Sequence, residues 1–426
     1  MAATSAAALS RIAGWGRPGP KWLRAIAARA GVVGRFTTWG HTARDRTRPL
    51  LWMHAPSVGE GLQARPVLEL LRTPGPTLEP LRTPDLQVVY TFFSPSAETF
   101  ARTLLQTGLA DFTDFLPFDT VPAANAILDA LDPTALVFSK LDVWPILVQR
   151  AAARGVRLGL ISATLSASSS RTTGLARALL SDAYARFDTV GAIDQADADR
   201  LVTLGVRPDV ITITGDTRYD QVWARSHPIL DREFSWNDTR LTIVAGSTWP
   251  SDERVLLPAW RQAVPKARLV IAPHEPTQAH LSAIEAWARA ADVRYARVDD
   301  PDAAAADLVL VDRVGVLGDL YATADIAFVG GAFHAAGLHS TLEPAAFGVP
   351  ILFGPRYYAS RDAAVLLAAG AARSVPTIAD LAAQIREWAT DDSARRDAGS
   401  AAREVVRQGL GAAQRSAAIV GRLLTG

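Results

Sequence analysis

One stretch near the start of the sequence carries side chains that can do acid–base chemistry. It runs from His54 through Ser57 and Gly59 to Glu60, at the end of an apolar run. Two interpretations of Ser57 and Glu60 are equally open. The pair has the spacing of a capping box, in which both side chains satisfy backbone N–H groups at a helix start. Alternatively, Glu60 is a general base that takes a proton from an acceptor hydroxyl.

Two further stretches of the first half place cations after apolar runs. Lys140 and Asp142 follow TALVFS and precede Trp-Pro, while Arg218 follows Gly215 in the segment GDTRYD. Lys140 and Asp142 form either a local ion pair at a helix start or a polar patch that binds an anionic acceptor, and a lysine at a strand end favours the patch. Arg218 can bind phosphate or carboxylate through two hydrogen bonds. A plain turn, which Gly215 permits, is the alternative for that segment.

The second half of the sequence has four polar loops, each after an apolar run. Their candidate ligand-binding residues are Ser247, Thr248, His274, Glu275, Gly330, Gly331, His339, Ser340 and Glu343. Glycine lets the backbone approach a ligand, and N–H groups at a helix start bind phosphate. Ser340 or Thr341 is expected to cap a helix whose first turn contains Glu343. The Glu343 carboxylate then either interacts with the helix dipole or accepts hydrogen bonds from ribose hydroxyls. Four such loops together favour a nucleotide as the ligand.

Twelve short apolar runs alternate with helical patterns, which predicts parallel β-strands covered by helices on both faces. The predicted strands are 50–55, 87–93, 134–139, 157–163, 189–194, 210–215, 241–246, 268–273, 293–298, 307–311, 326–330 and 350–353. One parallel sheet does not accommodate twelve strands, whereas six and six make two Rossmann-like domains. Such a pair binds ligands in a cleft between the carboxyl ends of its strands.

The predicted domain organisation has four parts. They are a basic segment at 1–48, a first Rossmann-like domain at 49–222, a second at 238–400, and a last helix at 401–426 that packs back on the first domain. The first fifty residues contain nine Arg and Lys against one acid, Asp45. Between Lys21 and Phe36, basic and apolar residues alternate. This segment either lies on an anionic membrane surface or packs as a solvated helix on the first domain.

Composition excludes several kinds of partner and site. The 426 residues carry a net charge of +1 and are 49% hydrophobic, which is typical of a globular protein and does not indicate a nucleic-acid partner. The absence of cysteine excludes disulfides and thiolate chemistry, and the seven histidines lack a metal-binding spacing. No apolar run reaches the roughly 18 residues that a transmembrane helix needs.

These motifs resemble, in their order, those of the 3-deoxy-D-manno-octulosonic acid (Kdo) transferases. The matching segments between residues 50 and 360 include HAPSVGEG, TFFSPSAETF, LPFDT, FSKLDVWP, TGDTRYDQV, AGSTWPSDE, IAPHEP and GGAFHAAGLHSTLEP. The TFFSPS, GDTRYD, GSTWP and APHE forms are similar to the Bacteroidetes-type branch. The resemblance implies the α/β GT-B fold, in which two Rossmann-like domains face each other across a cleft. It also implies transfer of Kdo from CMP-Kdo to a lipid A precursor, without a metal cofactor, by a peripheral enzyme at the cytoplasmic face of the bacterial inner membrane.

The resemblance further implies roles for individual residues. Glu60 matches the family's catalytic glutamate, and Asp142 and Arg218 match its other catalytic positions. The acceptor-binding set comprises Ser57, Gly59 and Lys140. The nine candidates of the second half match the donor-binding loops, which would hold CMP-Kdo.

The chain departs from the family pattern at three points. Asp142 stands where the family usually has Glu, Ser340 stands where it usually has Asn, and the usual hydrophobic N-terminal anchor is not recognisable. Two alternatives therefore stay open. One is a UDP-sugar 2-epimerase that does not hydrolyse its substrate and has the same architecture. The other is a degenerate member that binds nucleotide or lipid without turnover.

Overall fold

The computed structural model describes residues 27–72, 86–166, 169, 171, 174–227, 234, 236 and 238–425. The chain divides into two compact units. The first unit contains the residues up to Gln221 together with Gly411–Gly426, and the second contains Val222–Leu410. Each unit is built on one sheet of seven strands. The α/β architecture with two Rossmann-like sheets is thus confirmed.

The sheet of the first unit is entirely parallel. Its strands are β1 Leu50–His54, β2 Gln87–Phe92, β3 Phe112–Phe115, β4 Ala135–Ser139, β5 Arg157–Ala163, β6 Thr189–Ala192 and β7 Ile211–Ile213. They lie in the order β3-β2-β1-β4-β5-β6-β7, and Leu50 of β1 pairs with Gln87 of β2. Every residue of β1, β2 and β4 is buried, because helices cover both faces of the sheet.

Helices connect successive strands, as parallel pairing requires. The helices up to Ser226 are α1 Val32–Thr42, α2 Val58–Arg72, α3 Glu98–Gln106, α4 Val121–Leu131, α5 Pro145–Ala152, α6 Gly174–Tyr184, α7 Gln195–Leu204 and α8 Thr217–Ser226. The last of them begins in the first unit and ends in the second. Short 3-10 turns lie at Pro95–Ala97 and Pro208–Val210.

The second unit repeats this architecture with another parallel sheet. Its strands are β8 Thr242–Thr248, β9 Arg268–Pro273, β10 Tyr295–Arg297, β11 Leu308–Leu310, β12 Ile326–Val329, β13 Ile351–Phe353 and β14 Ala372–Ser374, in the order β10-β11-β9-β8-β12-β13-β14. Its helices are α9 Pro250–Ala263, α10 Gln278–Ala290, α11 Leu317–Tyr321, α12 Leu342–Ala346, α13 Arg361–Ala368, α14 Ile378–Thr390 and α15 Asp392–Gln408.

The strand order of each sheet reverses between two neighbouring strands, β1 and β4 in the first unit and β8 and β12 in the second. Open α/β sheets bind their ligands at the carboxyl ends of the strands that flank such a reversal. In the first unit, Glu60 follows β1 and Lys140 follows β4. In the second unit, Ser247 lies at the end of β8 and Gly330 follows β12. In both units, therefore, the main candidate residues lie at the carboxyl ends of the two strands that flank the reversal.

The predicted count of six strands in each sheet is one short. The two strands that the sequence pattern missed, β3 and β14, lie at the edges of their sheets. Each is only partly buried, so neither has the continuous apolar run that marks the central strands. An edge strand is covered on fewer sides than a central one, and its sequence signal is correspondingly weak.

Helix α16, Ala412–Thr425, packs on the first unit although it follows the whole second unit in the chain. The Asp220 carboxylate accepts hydrogen bonds from the backbone N–H groups of Gly411 at 2.8 Å and Ala413 at 2.9 Å, and so caps the start of α16. Arg415 adds a bond from its Nε to the carbonyl oxygen of Thr214, also at 2.8 Å.

The apolar face of α16 lies directly on the sheet. Ile419 and Leu423 are buried, and they lie beside Gly191 of β6 and Gly159 of β5. A Cβ atom at Gly159 would lie only 2.8 Å from a Leu423 methyl carbon. The missing side chains of these two glycines are thus what lets the helix approach the strands.

The described part of the basic N-terminal segment packs on the first unit. Arg29 is buried, donates from Nε to the carbonyl oxygen of Leu116 at 3.1 Å, and lies 3.9 Å above the ring centre of Phe93. Arg35 forms a two-pronged ion pair with buried Asp114. For residues 27–48 this matches the packed-helix alternative, whereas residues 1–26 lie outside the described chain. None of the helices in the described ranges has the length and apolar character that a membrane span needs.

Replacing Asp220 with Ala removes both acceptors of the α16 cap. We expect a local loss of about 1–2 kcal/mol, the usual cost of losing a helix cap. Hydrogen exchange followed by mass spectrometry should then report faster exchange of the amides of 412–425. Asp209→Ala, on an exposed turn nearby, is the matched control. Equal exchange of α16 in the two variants would mean that Asp220 does not hold this helix.

Candidate functional site

Glu60 lies at the strand reversal of the first unit, in the first turn of α2. Its carboxylate oxygen Oε1 is 3.1 Å from the Lys140 ammonium, which follows β4, and the Ser57 hydroxyl donates to its other oxygen. Ser139, the last residue of β4, donates to the carbonyl oxygen of Glu60 at 3.2 Å. The ends of the two strands that flank the reversal are therefore joined through this glutamate.

The environment of Glu60 keeps its carboxylate ionised. Burial alone would raise the pKa of Glu60, but the hydrogen bond from Ser57 and the charge and hydrogen bond of Lys140 together outweigh burial and lower the pKa. The Glu60 and Lys140 side chains remain 18% and 34% exposed. An ionised, partly accessible carboxylate can accept a proton from an incoming hydroxyl.

The capping-box interpretation of Ser57 and Glu60 does not describe the observed geometry. The Ser57 hydroxyl bonds the Glu60 carboxylate itself, whereas a capping box joins each side chain to the backbone N–H of the other residue. The general-base interpretation stays a prediction. Gly59 is exposed, and the nearest atom to a Cβ placed there would be the Ser57 hydroxyl oxygen, at 3.8 Å.

A buried hydrogen-bond chain links His54 to Asp142. The Trp52 indole donates to the Thr91 hydroxyl at 3.0 Å, and Thr91 contacts His54 Nδ1 at 3.0 Å. The other ring nitrogen of His54 lies 3.3 Å from Asp142 Oδ2, which also accepts from the Trp144 indole at 3.3 Å. Because an indole N–H can only donate, the Thr91 oxygen accepts from Trp52, and its own proton is free to bond His54 Nδ1. His54, singled out by the sequence but without an assigned role, thus holds Asp142 in position.

The Asp142 carboxylate is held ionised by these partners. Burial would raise the pKa of Asp142, but the hydrogen bonds from His54 and Trp144 outweigh burial and lower the pKa. Asp142 follows β4 closely after Lys140, so the structure brings both residues to the same strand end as Glu60. Lys140 reaches Glu60 from a backbone with a φ of 61°, in the left-handed region that non-glycine residues seldom adopt.

Sequence analysis missed Asp119, which supports this strand end. Its carboxylate accepts the backbone N–H groups of Ile146 and Leu147, both at 2.8 Å, and so caps α5 directly after Trp144. Burial raises the pKa of Asp119 against these two hydrogen bonds. The sequence did contain a signal for this role, namely the aspartate of the segment LPFDT. No neighbouring residue of that segment explains why an acid stands there.

Arg218 is not brought to Glu60 within the first unit. It follows β7, which is four strands away from β1 in the sheet, or roughly 19 Å at the usual strand spacing. Its guanidinium binds Oδ2 of buried Asp216 through Nε at 2.8 Å and Nη2 at 2.6 Å. Gly215 has a φ of 85°, so the turn that the sequence indicated is present.

The polar loops of the second unit meet at its strand reversal. Gly330 and Gly331 follow β12, and the backbone of Ser247 and Thr248 lies against Gly330. A Cβ atom at Gly330 would lie 2.3 Å from the Ser247 carbonyl oxygen. Gly331 has a φ of 95°, and a Cβ there would meet the Gly337 carbonyl at 2.2 Å. These glycines bring loops against one another, whereas the sequence suggested that they let a ligand approach.

Buried Asp252, another residue that sequence analysis missed, ties these loops together. Its carboxylate accepts the backbone N–H groups of Trp249 and Gly331 at 2.8 Å and of Phe333 at 3.1 Å. Burial raises its pKa despite the three hydrogen bonds. The Gly331 and Phe333 N–H groups are therefore already occupied by an acceptor of the protein itself.

Thr248 also has an internal partner. Its hydroxyl donates to Glu253 at 2.8 Å, and the two Glu253 oxygens lie 2.9 and 3.0 Å from His280 Nε2. Burial raises the pKa of Glu253 against both partners. His280 Nδ1 lies 3.1 Å from the carbonyl oxygen of Glu275, so this buried group supports the loop that carries exposed His274 and Glu275.

Three histidines and an indole pack together beside these loops. The Trp249 ring stacks on His334 at a centroid distance of 4.2 Å and lies 5.0 Å from His274, which in turn stacks on His339 at 4.3 Å. The Trp249 indole N–H lies 3.1 Å from Nε2 of His339. Burial, followed by the charges of His274 and His334, lowers the pKa of His339 to about 4. His339 is therefore neutral near neutral pH.

Ser340 and Thr341 do not cap α12, contrary to the sequence-based expectation. Ser340 is exposed, and Thr341 at the helix start makes no capping hydrogen bond and has a buried hydroxyl without a partner. Glu343 lies in the first turn of α12, as predicted, with the Arg225 guanidinium 3.9 Å away. Burial raises the pKa of Glu343, and the charge of Arg225 opposes that effect.

Within the described residues, no three His, Asp or Glu side chains are arranged to hold a metal ion.

The structure brings the predicted residues together in one group in each unit. Glu60, Ser57, Lys140 and Asp142 meet in the first, and Ser247, Gly330, Gly331, His274 and His339 meet in the second.

Comparison with known proteins relates the chain to one family. Residues 27–221 match the family model described as 3-deoxy-D-manno-octulosonic-acid transferase (kdotransferase). A curated 3-deoxy-D-manno-octulosonic acid transferase from Bordetella pertussis is 29% identical over 88% of this chain and 90% of its own length. A transferase of the same name from Chlamydophila psittaci is 29% identical over 76% and 74% of the two chains.

A solved structure supports the fold assignment. The UDP-GlcNAc 2-epimerase from Neisseria meningitidis, solved with bound UDP-GlcNAc, superposes with a TM-score of 0.58 over 85% of this chain and 99% of its own. Its sequence identity of 12% makes this a likeness of fold alone. The Bacteroidetes-type branch stays a prediction, since these matches do not distinguish branches.

Replacing Lys140 with Met should raise the pKa of Glu60, because burial then acts with less opposition. A carboxylate with a lowered folded-state pKa stabilises the fold above its ordinary pKa, and this contribution disappears as pH falls through the folded-state pKa. The Lys140→Met variant should therefore lose the stabilising contribution of the ionised Glu60 carboxylate at a higher pH than the unchanged protein. Carbon-13 NMR titration, assigned with Glu60→Gln, measures the shift. Lys266→Met, at an exposed site of the second unit, is the control. An unchanged Glu60 titration would contradict the pairing.

Replacing Thr91 with Val keeps the side-chain shape but removes the hydroxyl between Trp52 and His54. The buried indole N–H then loses its acceptor, at a cost of about 1–3 kcal/mol. Denaturant unfolding monitored by circular dichroism should report this loss, and Thr91→Ser should retain most of the stability. Equal stability of the Val and Ser variants would rule out the proposed chain.

Proposed function

We propose that this chain, a member of the 3-deoxy-D-manno-octulosonic acid (Kdo) transferase family of glycosyltransferases of lipopolysaccharide synthesis, transfers Kdo from CMP-Kdo to the lipid A precursor lipid IVA. In this proposal Glu60 is the general base, the anomeric configuration inverts, and no metal cofactor takes part. The observation that carries it is the Glu60 carboxylate, held ionised by Ser57 and Lys140 at the strand reversal of the unit that matches the family model.

The proposed reaction breaks the bond between the anomeric carbon of Kdo and the phosphate oxygen of CMP. The electron pair of that bond leaves with CMP, and positive charge builds at the anomeric carbon. The acceptor hydroxyl attacks this carbon from the opposite face, which inverts its configuration, while Glu60 takes the hydroxyl proton. The products are the Kdo-lipid, CMP and a protonated Glu60, which returns its proton to water.

Lys140 is proposed to couple acceptor binding to the strength of the base. In the structure its ammonium pairs with Glu60 and helps to lower the pKa of that carboxylate. A phosphate of lipid IVA that attracts Lys140 would weaken this pair, and Glu60 would then bind a proton more readily. Asp142, fixed by His54 and Trp144, adds a second acceptor of hydrogen bonds at the same strand end.

The nine predicted donor-binding residues are proposed to form the CMP-Kdo site. Exposed His274 and Glu275 and the neighbouring His339 support this assignment, since they lie at the carboxyl ends of β9 and β12, close to the strand reversal. Arg218 is proposed to assist the leaving phosphate through its guanidinium, which can form two parallel hydrogen bonds. Its present partner, Asp216, would hold the side chain until CMP-Kdo is bound.

The proposed location is the cytoplasmic face of the bacterial inner membrane, with the protein bound peripherally. The lipid character of the proposed acceptor supports a membrane surface as partner. The basic residues of the N-terminal segment also suit an anionic surface.

A coupled assay tests the proposal. CMP-Kdo is generated in place and offered with lipid IVA and EDTA, and mass spectrometry detects lipid that has gained Kdo. We expect Kdo-lipid and an equal amount of CMP. CMP release without a Kdo-lipid would contradict lipid IVA as acceptor. No CMP release would contradict CMP-Kdo as donor, and incubation with UDP-GlcNAc would then test epimerase activity.

Glu60→Ala should lower the transfer rate about 10²–10⁴-fold, the usual contribution of a general base. Glu69→Ala is the matched control, because Glu69 lies in the same helix, is 43% exposed and pairs only locally with Arg65. Circular dichroism of both variants checks that they are folded. Near-normal transfer by Glu60→Ala would remove the assignment of Glu60 as base.

A further inference from the structure

We propose that Trp249 is a positioning residue that fixes the tautomer of His339, so that His339 offers its Nδ1–H to an anionic oxygen of the sugar nucleotide. This inference rests on the proposed function of the second unit as the CMP-Kdo site. It gives a role to Trp249, which the sequence motif GSTWP contains but which no candidate set included.

The direction of one hydrogen bond determines the tautomer. The Trp249 indole nitrogen lies 3.1 Å from His339 Nε2, and an indole N–H can only donate. His339 Nε2 must therefore carry a lone pair. A neutral imidazole has one ring proton, which leaves that proton on Nδ1. In the described part of the chain, no protein group is hydrogen-bonded to Nδ1, so this N–H is left for a ligand.

The indole that makes this bond is itself held on several sides. Its ring is stacked on His334 with an angle of 5° between the planes, and His274 lies at 5.0 Å. Its backbone N–H donates to Asp252 at 2.8 Å. Loops from β8, β9 and β12 all contribute to this packing. Trp249 therefore has little freedom to turn its N–H away from His339.

The histidine ring is held in the same way. The backbone N–H of His339 donates to the carbonyl oxygen of Gly330 at 3.1 Å, and the ring stacks on His274 at 4.3 Å. With the backbone and Nε2 both bonded, the direction of Nδ1–H is determined. His339 is thus prepared to donate one hydrogen bond in a fixed direction, which reduces the ordering cost of binding.

Burial, together with the charges of two neighbouring histidines, keeps the His339 ring neutral. The titratable groups that face the cluster are His274 from the loop after β9, His334 from the loop after β12, and Asp252 from the first turn of α9. Burial and the two histidines disfavour a second proton on the ring, and the Trp249 bond requires that Nε2 carries none. Recognition by His339 therefore depends on a directed N–H donor, which suits a phosphate or carboxylate oxygen. CMP-Kdo, the proposed donor, carries both groups.

The tautomer can be observed directly by NMR in the full chain with nitrogen-15 histidine. Long-range proton–nitrogen correlation distinguishes a protonated Nδ1 from a protonated Nε2, and His339→Gln assigns the signals among the seven histidines. We expect the Nδ1–H form in the unchanged protein. Trp249→Phe keeps an aromatic ring but removes the donor, so the variant should show a mixture of tautomers and a higher His339 pKa. Nε2–H in the unchanged protein, or an Nδ1–H form that persists in Trp249→Phe, would overturn the proposal.

Binding of CMP and the KM for CMP-Kdo provide the second readout. In Trp249→Phe the hydrogen bond from His339 Nδ1–H to the ligand is no longer oriented in advance. Either the affinity for CMP should fall or the KM for CMP-Kdo should rise, by about twofold to tenfold. Trp287→Phe is the control, since Trp287 belongs to the same unit and contacts Trp260 but none of the cluster histidines. Unchanged CMP binding together with an unchanged KM would also count against the proposal.

The NMR result does not depend on turnover, so the two failures can be told apart. Absence of transfer with an intact Nδ1–H tautomer would contradict only the proposed reaction. Normal transfer with the opposite tautomer would contradict only the role of Trp249.

Discussion

The reversal of strand order in each parallel sheet is the constraint on which both groups of candidate residues depend. From β1 and β4 the connections leave in opposite directions along the sheet, and the same holds for β8 and β12. The strand ends between diverging connections are not covered by a crossover helix, so side chains there are accessible to a ligand. Glu60 and Lys140 come from different strand ends and meet only because this topology makes their strands neighbours.

Buried and half-buried carboxylates hold loops and helix starts in both units. Asp119 binds two N–H groups at the start of α5, Asp220 binds two at the start of α16, and Asp252 binds three from two loops. A helix start leaves N–H groups that no carbonyl of the helix can reach, and a carboxylate from another element satisfies them and joins the two elements. Trp144 lies directly before a helix held in this way. Trp249 is held by the reverse arrangement, because Asp252 of the helix that follows it accepts the Trp249 backbone N–H.

Much of the fold and part of the site could be predicted from the sequence. Apolar runs predicted all the central strands, since burial on both faces requires them, whereas the edge strands β3 and β14 lack that requirement. The sequence correctly indicated that Ser57 and Glu60 interact, but it did not indicate which atoms form the hydrogen bond. Spacing along the chain does not determine whether a hydroxyl bonds a backbone N–H or a carboxylate. Asp119 was missed because its partners lie 27 and 28 residues away in the chain, and Asp252 because two of its three partners lie 79 and 81 residues away. The sequence indicated that something approaches the backbone of Gly330 and Gly331 closely. Only the three-dimensional structure shows that the approaching group is another loop of the protein and not a ligand.

The return of α16 to the first unit has a consequence for how the polypeptide acquires its structure during synthesis. Gly159 and Gly191 present bare sheet surface until Ile419 and Leu423 cover it. Residues 222–410 are translated in between, which takes roughly 10–40 s at common rates of elongation. During that interval the N-terminal sheet has an uncovered apolar face beside the helix that carries Glu60. The first unit is therefore completed only after the second unit has been synthesised, and until then the emerging chain presents a surface of the kind that chaperones bind.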